Sequence, residues 1–218
     1  MTTTLTRVPI FRQLPAAAIT ALAAACLPCR FRRGETIFKE DRPADFVWII
    51  RRGLVYLVKR TPSGESATIF TMTPDEALCG ISAFEHGAYS AGAVAATDVS
   101  LLRIPAHVFA ELLGCHPAFA GDVLRSCCGR IRQMAEAISV SQATVEQRLA
   151  YILVRLQDTV GRTIPVTRQE LARMVGTRWE TSIRTLSAMR RRGWIASSRG
   201  QVTVLAPQQL RALLQRTM

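Results

Sequence analysis

The sequence predicts an α+β fold in three parts: an N-terminal β-roll of the double-stranded β-helix or jelly-roll type, a long helix, and a C-terminal winged helix-turn-helix. Three observations predict it. Short apolar runs separated by Gly and Pro fill residues 36–104 and are typical of a β-sandwich or roll. A stretch without proline follows over residues 118–142. Residues 166–194 then contain two short amphipathic helices joined at Gly176.

Six runs of three to six residues predict the strands of the β-roll. They are Thr36–Phe38, Phe46–Ile50, Leu54–Lys59, Ala67–Thr71, Ala91–Ala96 and Leu101–Ile104. Pro62-Ser63-Gly64 lies between two of these runs and predicts a hairpin turn. Ahead of the strands, residues 1–8 are polar, and short helices are predicted over Pro9–Leu14 and Ala16–Ala25.

A short helix over Pro105–Gly114 and a long helix from Ala118 to about Gln142 are predicted next. In the long helix, apolar residues recur at spacings of three and four and form a narrow seam. The seam consists of Leu124, Cys127 and Cys128, Ile131, Met134 and Ala135, and Ile138. It is covered either by the chain's own sheet or by the same helix of a second subunit. Because about 25 helical residues span roughly 37 Å, more than a small domain needs, we expect a two-fold dimer.

The C-terminal part is predicted to begin with an amphipathic helix over Val145–Thr159. Thr167 is placed to cap the next helix, and Glu170 completes a capping box. Gly176 ends that helix, since glycine tolerates the left-handed backbone of a sharp exit. A second, basic helix then runs from near Arg178 to about Arg191.

Two strands and a small helix are predicted to close the chain. The strands Ile195–Ser198 and Gln201–Leu205 flank Arg199-Gly200 in the manner of a wing, and Pro207–Gln215 forms the helix. Two helices joined by a glycine turn are the layout that places a recognition helix in the major groove of DNA. The alternative is a packed helical hairpin without that function.

The distribution of charge favours a nucleic-acid partner. The chain of 218 residues carries a net charge of +12. Residues 143–218 hold thirteen arginines against four acidic residues, so most of the excess charge lies in the winged part. This asymmetry indicates a polyanionic partner, nucleic acid first and an anionic membrane surface second.

Cysteine use and the absence of long apolar runs predict a cytoplasmic protein. A chain of this size does not need a disulfide framework for its six cysteines, so we expect buried thiols in a reducing compartment. No apolar run reaches the length of a membrane span. Ala16–Leu27 is similar to the apolar part of a signal peptide, but Pro28 and the arginines after it favour an N-terminal helix.

The residues give no indication of catalysis. His86, His107 and His116 lack the spacing of metal ligands, and no Ser–His or His–carboxylate spacing stands out. No Gly-rich phosphate loop is present either. We therefore expect a protein that is not an enzyme.

Two segments carry a resemblance to a known family. In residues 175–186, VGTRWETSIRTL, a glycine turn is followed by Glu180-Thr181 and then by Arg184, three residues after that threonine. Residues 38–45, FKEDRPAD, and Arg52-Gly53-Leu54-Val55 match an early β-roll turn and the strand after it. These segments, together with the order of β-roll, long helix and winged helix-turn-helix, resemble the Crp/Fnr family of bacterial transcription regulators. The resemblance extends from about Phe11 to Leu214. The resemblance implies a cyclic-nucleotide-binding-like sensor domain over residues 1–116, a dimerisation helix over 117–143 and a DNA-binding domain over 144–218.

The resemblance assigns base reading to Glu180 and Arg184. These residues are four apart and share a helix face. Arginine can contact guanine O6 and N7 together, and glutamate can accept from cytosine N4. A surface ion pair is the alternative role for the two. Trp179 stands where one branch of the family has a base-reading arginine, and with Ile183 it is assigned to thymine methyls or sugar.

A second group of residues is assigned to the phosphates, which position a protein on DNA without specifying sequence. It consists of Thr167, Arg168, Gln169, Thr177, Arg178 and Thr181. Arg190, Arg191 and Arg192 form either a further steering patch or a solvated C-terminal cap that suits the helix dipole.

The β-roll departs from the family members that bind cyclic nucleotides. Those members have a Gly-Glu pair followed by an Arg-Ser pair. Cys79-Gly80 and Tyr89-Ser90 stand at those places here, so the arginine that would hold the cyclic phosphate is missing. We therefore expect a signal other than cyclic AMP. A smaller anion could still bind to Ser90 and the Gly80 amide. The candidate effector residues are Cys79, Gly80, Ile81, Ser82, Tyr89 and Ser90.

Several signals stay open, and neither a cofactor nor a metal is identified. Haem could use Cys79 or one of the three histidines as a ligand. An iron–sulfur cluster needs four thiolates, whereas Cys26 and Cys29 supply two. Thiol oxidation could act at Cys26 and Cys29 or, across a dimer, at Cys127 or Cys128. The remaining options are an unknown small molecule and no effector at all.

The expected partners are double-stranded DNA, a second copy of the chain and RNA polymerase, with no membrane partner. The alternative function is a β-roll interaction module whose winged domain binds protein. Salt-dependent DNA affinity separates the two, because phosphate contacts release counterions.

Overall fold

The computed structural model describes residues 5–62, 64, 66–78, 80–85 and 87–215. Packing divides the chain into two compact units, Met1–Ile131 and Arg132–Met218. The division falls inside the long helix, so each unit contains part of it.

The first unit is an antiparallel β-roll with helices on one side. Its strands are β1 (Leu27–Phe31), β2 (Thr36–Phe38), β3 (Phe46–Arg52), β4 (Val55–Arg60), β5 (Ser66–Met72), β6 (Ala77–Leu78), β7 (Gly92–Ala95) and β8 (Val99–Pro105). They form two sheets, ordered β1-β8-β3-β6 and β2-β7-β4-β5. Its helices are a 3₁₀ turn (Pro9–Phe11), α1 (Ala16–Ala25), α2 (Gly80–Phe84), α3 (Ala106–Cys115) and the first part of α4 (Pro117–Ser141).

Alternation along β3 explains why this unit has two cores. Trp48 and Ile50 belong to an interior cluster to which strands of both sheets contribute, whereas Val47 and Ile49 belong to a second cluster. Successive side chains of a strand point to opposite faces, so β3 is covered on both. The second cluster joins β3 and β8 to α1, α3 and the start of α4 through Leu22, Phe109 and Phe119, among others.

Arg130 ties the long helix to the roll within this unit. Its Nη2 donates to Glu76 Oε1 at 2.9 Å, and its guanidinium lies 5.1 Å from the ring centre of Phe70. Glu76 is itself held, since its Oε2 accepts from the backbone N–H of Thr73 at 2.6 Å and from the Thr73 hydroxyl at 2.9 Å. A half-buried ion pair with a fixed partner of this kind orients the two elements it joins.

The second unit is a winged helical domain. After the end of α4 it contains α5 (Val145–Val160), β9 (Thr163–Ile164), α6 (Arg168–Met174), α7 (Trp179–Arg191), β10 (Ile195–Ser198), β11 (Gln201–Val204) and α8 (Pro207–Gln215). The three strands form one sheet, ordered β10-β11-β9. The core is built from α5, α6 and α7 around residues such as Leu153, Leu171 and Met189.

The predicted α+β fold is confirmed, and all six runs predicted as strands are strands. The sequence missed β1, β6, β9 and α2. The strand β1 contains Pro28 and lies at the edge of its sheet, where a residue without an N–H is tolerated. The elements β6 and β9 have only two residues each, too few for an apolar alternation to be recognised.

Candidate functional site

The turn between α6 and α7 has the geometry that the sequence predicts. The Thr167 hydroxyl accepts from the Glu170 N–H at 3.2 Å, and the Glu170 carboxylate accepts from the Thr167 N–H at 2.6 Å, which completes the capping box. Gly176 has φ +58°, and the N–H of Thr177 bonds back to the Ala172 carbonyl at 3.0 Å. This is the hydrogen bond of a glycine-terminated helix end, and it fixes the direction in which α7 starts.

The helix α7 has a buried face and an exposed face. Ser182, Leu186 and Met189 are buried and follow each other at spacings of four and three. At about 100° per residue, Glu180 and Arg184 lie on the opposite side of the helix. Both are exposed. The fold therefore presents the residues assigned to base reading to the outside.

Glu180 and Arg184 are not paired with each other. Within the described residues, neither side chain makes an ion pair or a hydrogen bond, although they are four apart. The surface ion pair that is the alternative role of these two residues is not formed within the described chain. Both groups are consequently available to a ligand without the loss of an internal bond.

The two apolar residues assigned to base contact differ in exposure. Trp179 is exposed at the first turn of α7, with 43% of its surface accessible. Ile183 is half-buried, because it lies about 100° from the buried face rather than opposite to it. Trp179 is thus the larger apolar surface available beside Glu180.

The residues assigned to phosphate contact fall into two groups. Gln169 and Arg178 are exposed, and Thr177 and Thr181 are half-buried near the start of α7. Thr167 and Arg168 are already engaged. The Thr167 hydroxyl donates to Glu170 at 2.7 Å, and Arg168 Nη2 donates to the Ser197 hydroxyl of β10 at 2.9 Å. The sequence did not indicate this link between α6 and the wing.

The three arginines at the end of α7 also differ in their contacts. Arg192 Nη1 lies 2.5 Å from Glu146 Oε1 in the first turn of α5, and its guanidinium lies 4.8 Å from the ring centre of Trp194. Arg192 therefore fastens α7 to α5. Arg190 and Arg191 are exposed. The contact of Arg192 with α5 is neither of the two alternatives given for this cluster, and both stay open for Arg190 and Arg191.

Comparison with known proteins gives two family matches that together cover most of the chain. Residues 28–115 match the family described as cyclic nucleotide-binding domain, and residues 147–213 match the Crp-like helix-turn-helix domain. The chain belongs to the Crp/Fnr family of transcription regulators.

The relatives and the solved structures agree with this assignment. The chain is 28% identical over 200 residues to a CRP-like cAMP-activated global transcriptional regulator of Mycobacterium tuberculosis, covering 88% of this chain and 89% of the relative. It is 24% identical over 183 residues to the transcriptional activator protein FnrA of Stutzerimonas stutzeri, covering 80% and 75%. The structure of FixK2 from Bradyrhizobium japonicum superposes with a TM-score of 0.77 at 20% identity, over 86% of this chain and 96% of that one, and so supports the fold.

In this Crp/Fnr regulator, Tyr89 occupies the packed interior of the β-roll. The side chain is 4% exposed and stacks on Phe38 with ring centres 4.1 Å apart. Its hydroxyl donates to the Phe46 carbonyl at 3.1 Å and accepts from Trp48 Nε1 at 3.2 Å. The residue that stands where a phosphate-binding arginine is expected is thus a hydrogen-bonded member of an aromatic core.

The other candidate effector residues differ in their exposure. Ser82 is buried, whereas Ile81 and Ser90 are exposed, and Gly80 is half-buried against Phe109. Cys79 lies outside the described residues, as does His86. Among the residues that the structure describes, no three His, Cys, Asp or Glu side chains are placed to hold one metal ion.

Replacing Tyr89 with phenylalanine is expected to lower the free energy of unfolding by about 1–3 kcal/mol. The change leaves the Trp48 indole N–H buried without its acceptor. Urea unfolding followed by fluorescence measures the effect. The matched control is Tyr151→Phe in the other unit, whose half-buried hydroxyl bonds to Glu136 at 3.3 Å and is expected to cost less. Equal costs for the two variants would contradict the role given to Tyr89.

Cys26 and Cys29 are not poised to react with each other. Cys26 is 3% exposed in the cluster outside the first sheet, whereas Cys29 packs against the interior cluster. The two thiols thus lie on opposite sides of β1, and a disulfide between them would require the chain to move. Burial also raises the pKa of the Cys26 thiol to about 11, so the reactive thiolate is scarce at neutral pH.

Alkylation should therefore discriminate among the thiols. With iodoacetamide at about pH 8, we expect Cys115, which is exposed and lies outside the α4 seam, to be modified at least about tenfold faster than Cys26, because only the thiolate reacts. Rates are measured on the native protein by peptide mass spectrometry, with urea-unfolded protein as the control in which the difference disappears. Equal native rates for the two thiols would refute the burial argument.

The predicted seam of α4 is exposed except at Cys127, which is half-buried. Leu124, Ile131 and Ile138 recur every seven residues and are 65%, 64% and 67% exposed. Cys128 and Ala135 lie between them and are exposed too. The first alternative for this seam, burial under the chain's own sheet, does not apply.

No helix of the described residues is long and apolar enough to cross a membrane.

Proposed function

We propose that the protein is a homodimer that binds a specific DNA sequence through α7 and changes its affinity in response to a signal received by the β-roll. The observation that carries the proposal is the exposed face of α7, where Glu180 and Arg184 point away from the core without partners of their own in the described chain. Bidentate contact to guanine and acceptance from cytosine are the roles that suit these groups in a major groove.

The dimer is supported by the seam of α4. A repeat of four and three residues along an exposed helix is the pattern that packs against the same pattern of a second helix. Three large aliphatic residues left about two-thirds exposed would cost solubility in a lone subunit, whereas a partner helix buries them. We place the two-fold axis along this seam.

The signal is proposed to be other than cyclic AMP. Support comes from Tyr89, whose hydroxyl is satisfied by Trp48 and Phe46 inside an aromatic core. A cyclic phosphate at this place would meet a phenol ring instead of a guanidinium, and it would have to displace stacked rings. The relative from M. tuberculosis is named for cAMP activation, so direct titration of this chain with cyclic AMP tests the point. We expect no saturable heat in calorimetry, and micromolar binding would overturn this part.

Control of DNA binding is proposed to run through α4. A ligand acts only by its different affinities for two arrangements of the protein. Besides the apolar contacts at the start of α4, Arg130 links this helix to the β5–β6 region of the roll through Glu76 and Phe70. A shift of the β5–β6 region would therefore move the helix that sets the spacing of two recognition helices.

Salt-dependent binding to selected DNA tests the proposed function. A palindromic duplex is selected from random DNA with the full chain, and affinity is measured from about 50 to 200 mM salt. We expect a fall of about 10³-fold or more, since six or more phosphate contacts release their counterions. Binding that is weak and indifferent to salt would favour the alternative, an interaction module whose winged domain binds protein.

The remaining partners follow from this function. RNA polymerase is proposed as the protein partner of the DNA-bound form, and the cytoplasm as the compartment, because both are where a bacterial transcription regulator acts. The proposal includes no catalytic step. The relatives of this chain are named as transcription regulators and activators.

A further inference from the structure

A cleft of about 790 Å³ lies at one end of the β-roll, outside the packed interior that contains Tyr89. Its walls include four arginines, Arg7, Arg30, Arg51 and Arg52, and two acids, Asp75 and Asp98. The lining therefore carries an excess of two positive charges. Nothing in the DNA-binding function requires this concentration of arginine on the sensor unit.

Strand register places two of these arginines beside the same residue. Arg30 of β1 and Arg52 of β3 both lie opposite Ser100 of β8, the strand between them. Neighbouring strands are about 4.8 Å apart, so the two backbones are separated by roughly 10 Å. Both guanidinium groups can reach one small ligand held over Ser100.

Three of the four cleft arginines have no bonded partner of their own among the described residues. In the part of the chain that the structure describes, the side chains of Arg7, Arg30 and Arg52 make no ion pair or hydrogen bond. Like charges held about 10 Å apart on the two sides of β8 repel each other unless an opposite charge lies between them. A bound anion supplies that charge.

The walls of the cleft are held in place. Arg7 lies between Leu5 and Val8 in the sequence. Both of these residues are fully buried in the second cluster, so Arg7 belongs to an anchored segment. A side chain at Gly53 would collide with the backbone oxygen of Asp98, and the Leu54 N–H bonds to the Thr97 hydroxyl at 2.9 Å. The β3–β4 and β7–β8 turns are therefore packed together, which fixes Arg52 near Asp98.

We propose that this arginine cleft binds a small phosphorylated molecule that carries two or more negative charges. Guanidinium groups bind phosphate oxygens in pairs, and the volume lies within the range of about 300–1,000 Å³ that holds small ligands. A concave site of this volume suits a compact molecule better than the continuous backbone of a nucleic acid. The site is separate from the roll interior, and the proposal does not depend on the DNA-binding function.

Calorimetry on the full chain tests the proposal, with inorganic pyrophosphate and ATP as probes at about 0.15 M salt. The test variant is Arg30→Gln with Arg52→Gln. The control variant is Arg12→Gln with Arg60→Gln, which removes the same charge from exposed positions of the same unit. Because all four residues are exposed, we expect both variants to fold, and circular dichroism verifies it.

The expected result is saturable binding of at least one probe to the wild type, weakened at least about tenfold in the test variant and unchanged in the control. Three outcomes would overturn the proposal: no binding of either probe to the wild type, an equal loss in both variants, or no loss in the test variant. The variants are also compared on selected DNA. A loss of DNA affinity in the test variant as large as the loss of probe binding would mean that the cleft serves the nucleic acid instead.

Discussion

Replacing Arg184 with alanine is expected to remove most of the preference for the selected palindrome over a scrambled duplex. A bidentate arginine–guanine pair accounts for about 1–3 kcal/mol of discrimination. Because a two-fold dimer loses the pair at both half-sites, the specificity ratio should fall by about 30-fold or more. Fluorescence anisotropy with the two duplexes at one salt concentration measures the ratio.

Arg162→Ala is the matched control for this experiment. Arg162 is exposed in the same unit, in the loop after α5, and its substitution removes the same charge. We expect the control to weaken binding to both duplexes to a similar, small extent, so that the ratio is unchanged. A ratio that survives in Arg184→Ala, or that falls equally in both variants, would exclude direct base reading by Arg184.

Replacing Ile131 with aspartate is expected to convert the dimer into monomers. Ile131 lies at the middle of the seam and is 64% exposed in the single chain. Burial of such a side chain contributes about 1.5–3 kcal/mol per subunit, so its loss from both subunits weakens association by about 3 kcal/mol or more, roughly 100-fold. Charge repulsion between the two aspartates adds to this. Sedimentation equilibrium over a range of concentrations measures the dissociation constant.

Ser126→Asp is the control for the seam. Ser126 is exposed on the same helix and lies about 200° around it from Leu124, so the same charge is introduced away from the proposed contact. The control should sediment as the wild type does. If the wild type is a monomer at micromolar concentration, or if both variants dissociate alike, the seam is not the dimer contact.

The helices were predictable where local chemistry decides them. Thr167 and Glu170 close a capping box through their own backbone groups, and Gly176 can adopt φ +58° without strain, so the sequence alone located the turn before α7. The seam was predictable for a similar reason, because a repeat of three and four needs no knowledge of the rest of the fold.

Contacts between residues distant in sequence could not be predicted. The hydrogen bonds of Tyr89 to Phe46 and Trp48 join residues more than forty positions apart, and no local pattern distinguishes a core tyrosine from one that lines a pocket. The Arg168–Ser197 and Arg192–Glu146 contacts depend in the same way on how α6, α7, α5 and the wing pack. The arginine cleft was missed because Arg30 and Arg52 come together only through the register of β1, β8 and β3.

The most direct measurement is the affinity for duplexes in which the two halves of the selected palindrome are moved apart one base pair at a time. The account predicts two chains per duplex and a maximum in affinity when the half-site centres are about one helical turn, roughly 34 Å, apart. It further predicts a steep loss when half a turn is inserted, because the second Glu180–Arg184 surface then faces away from its half-site. Affinity that does not change with spacing, or a single chain on each duplex, would contradict the account.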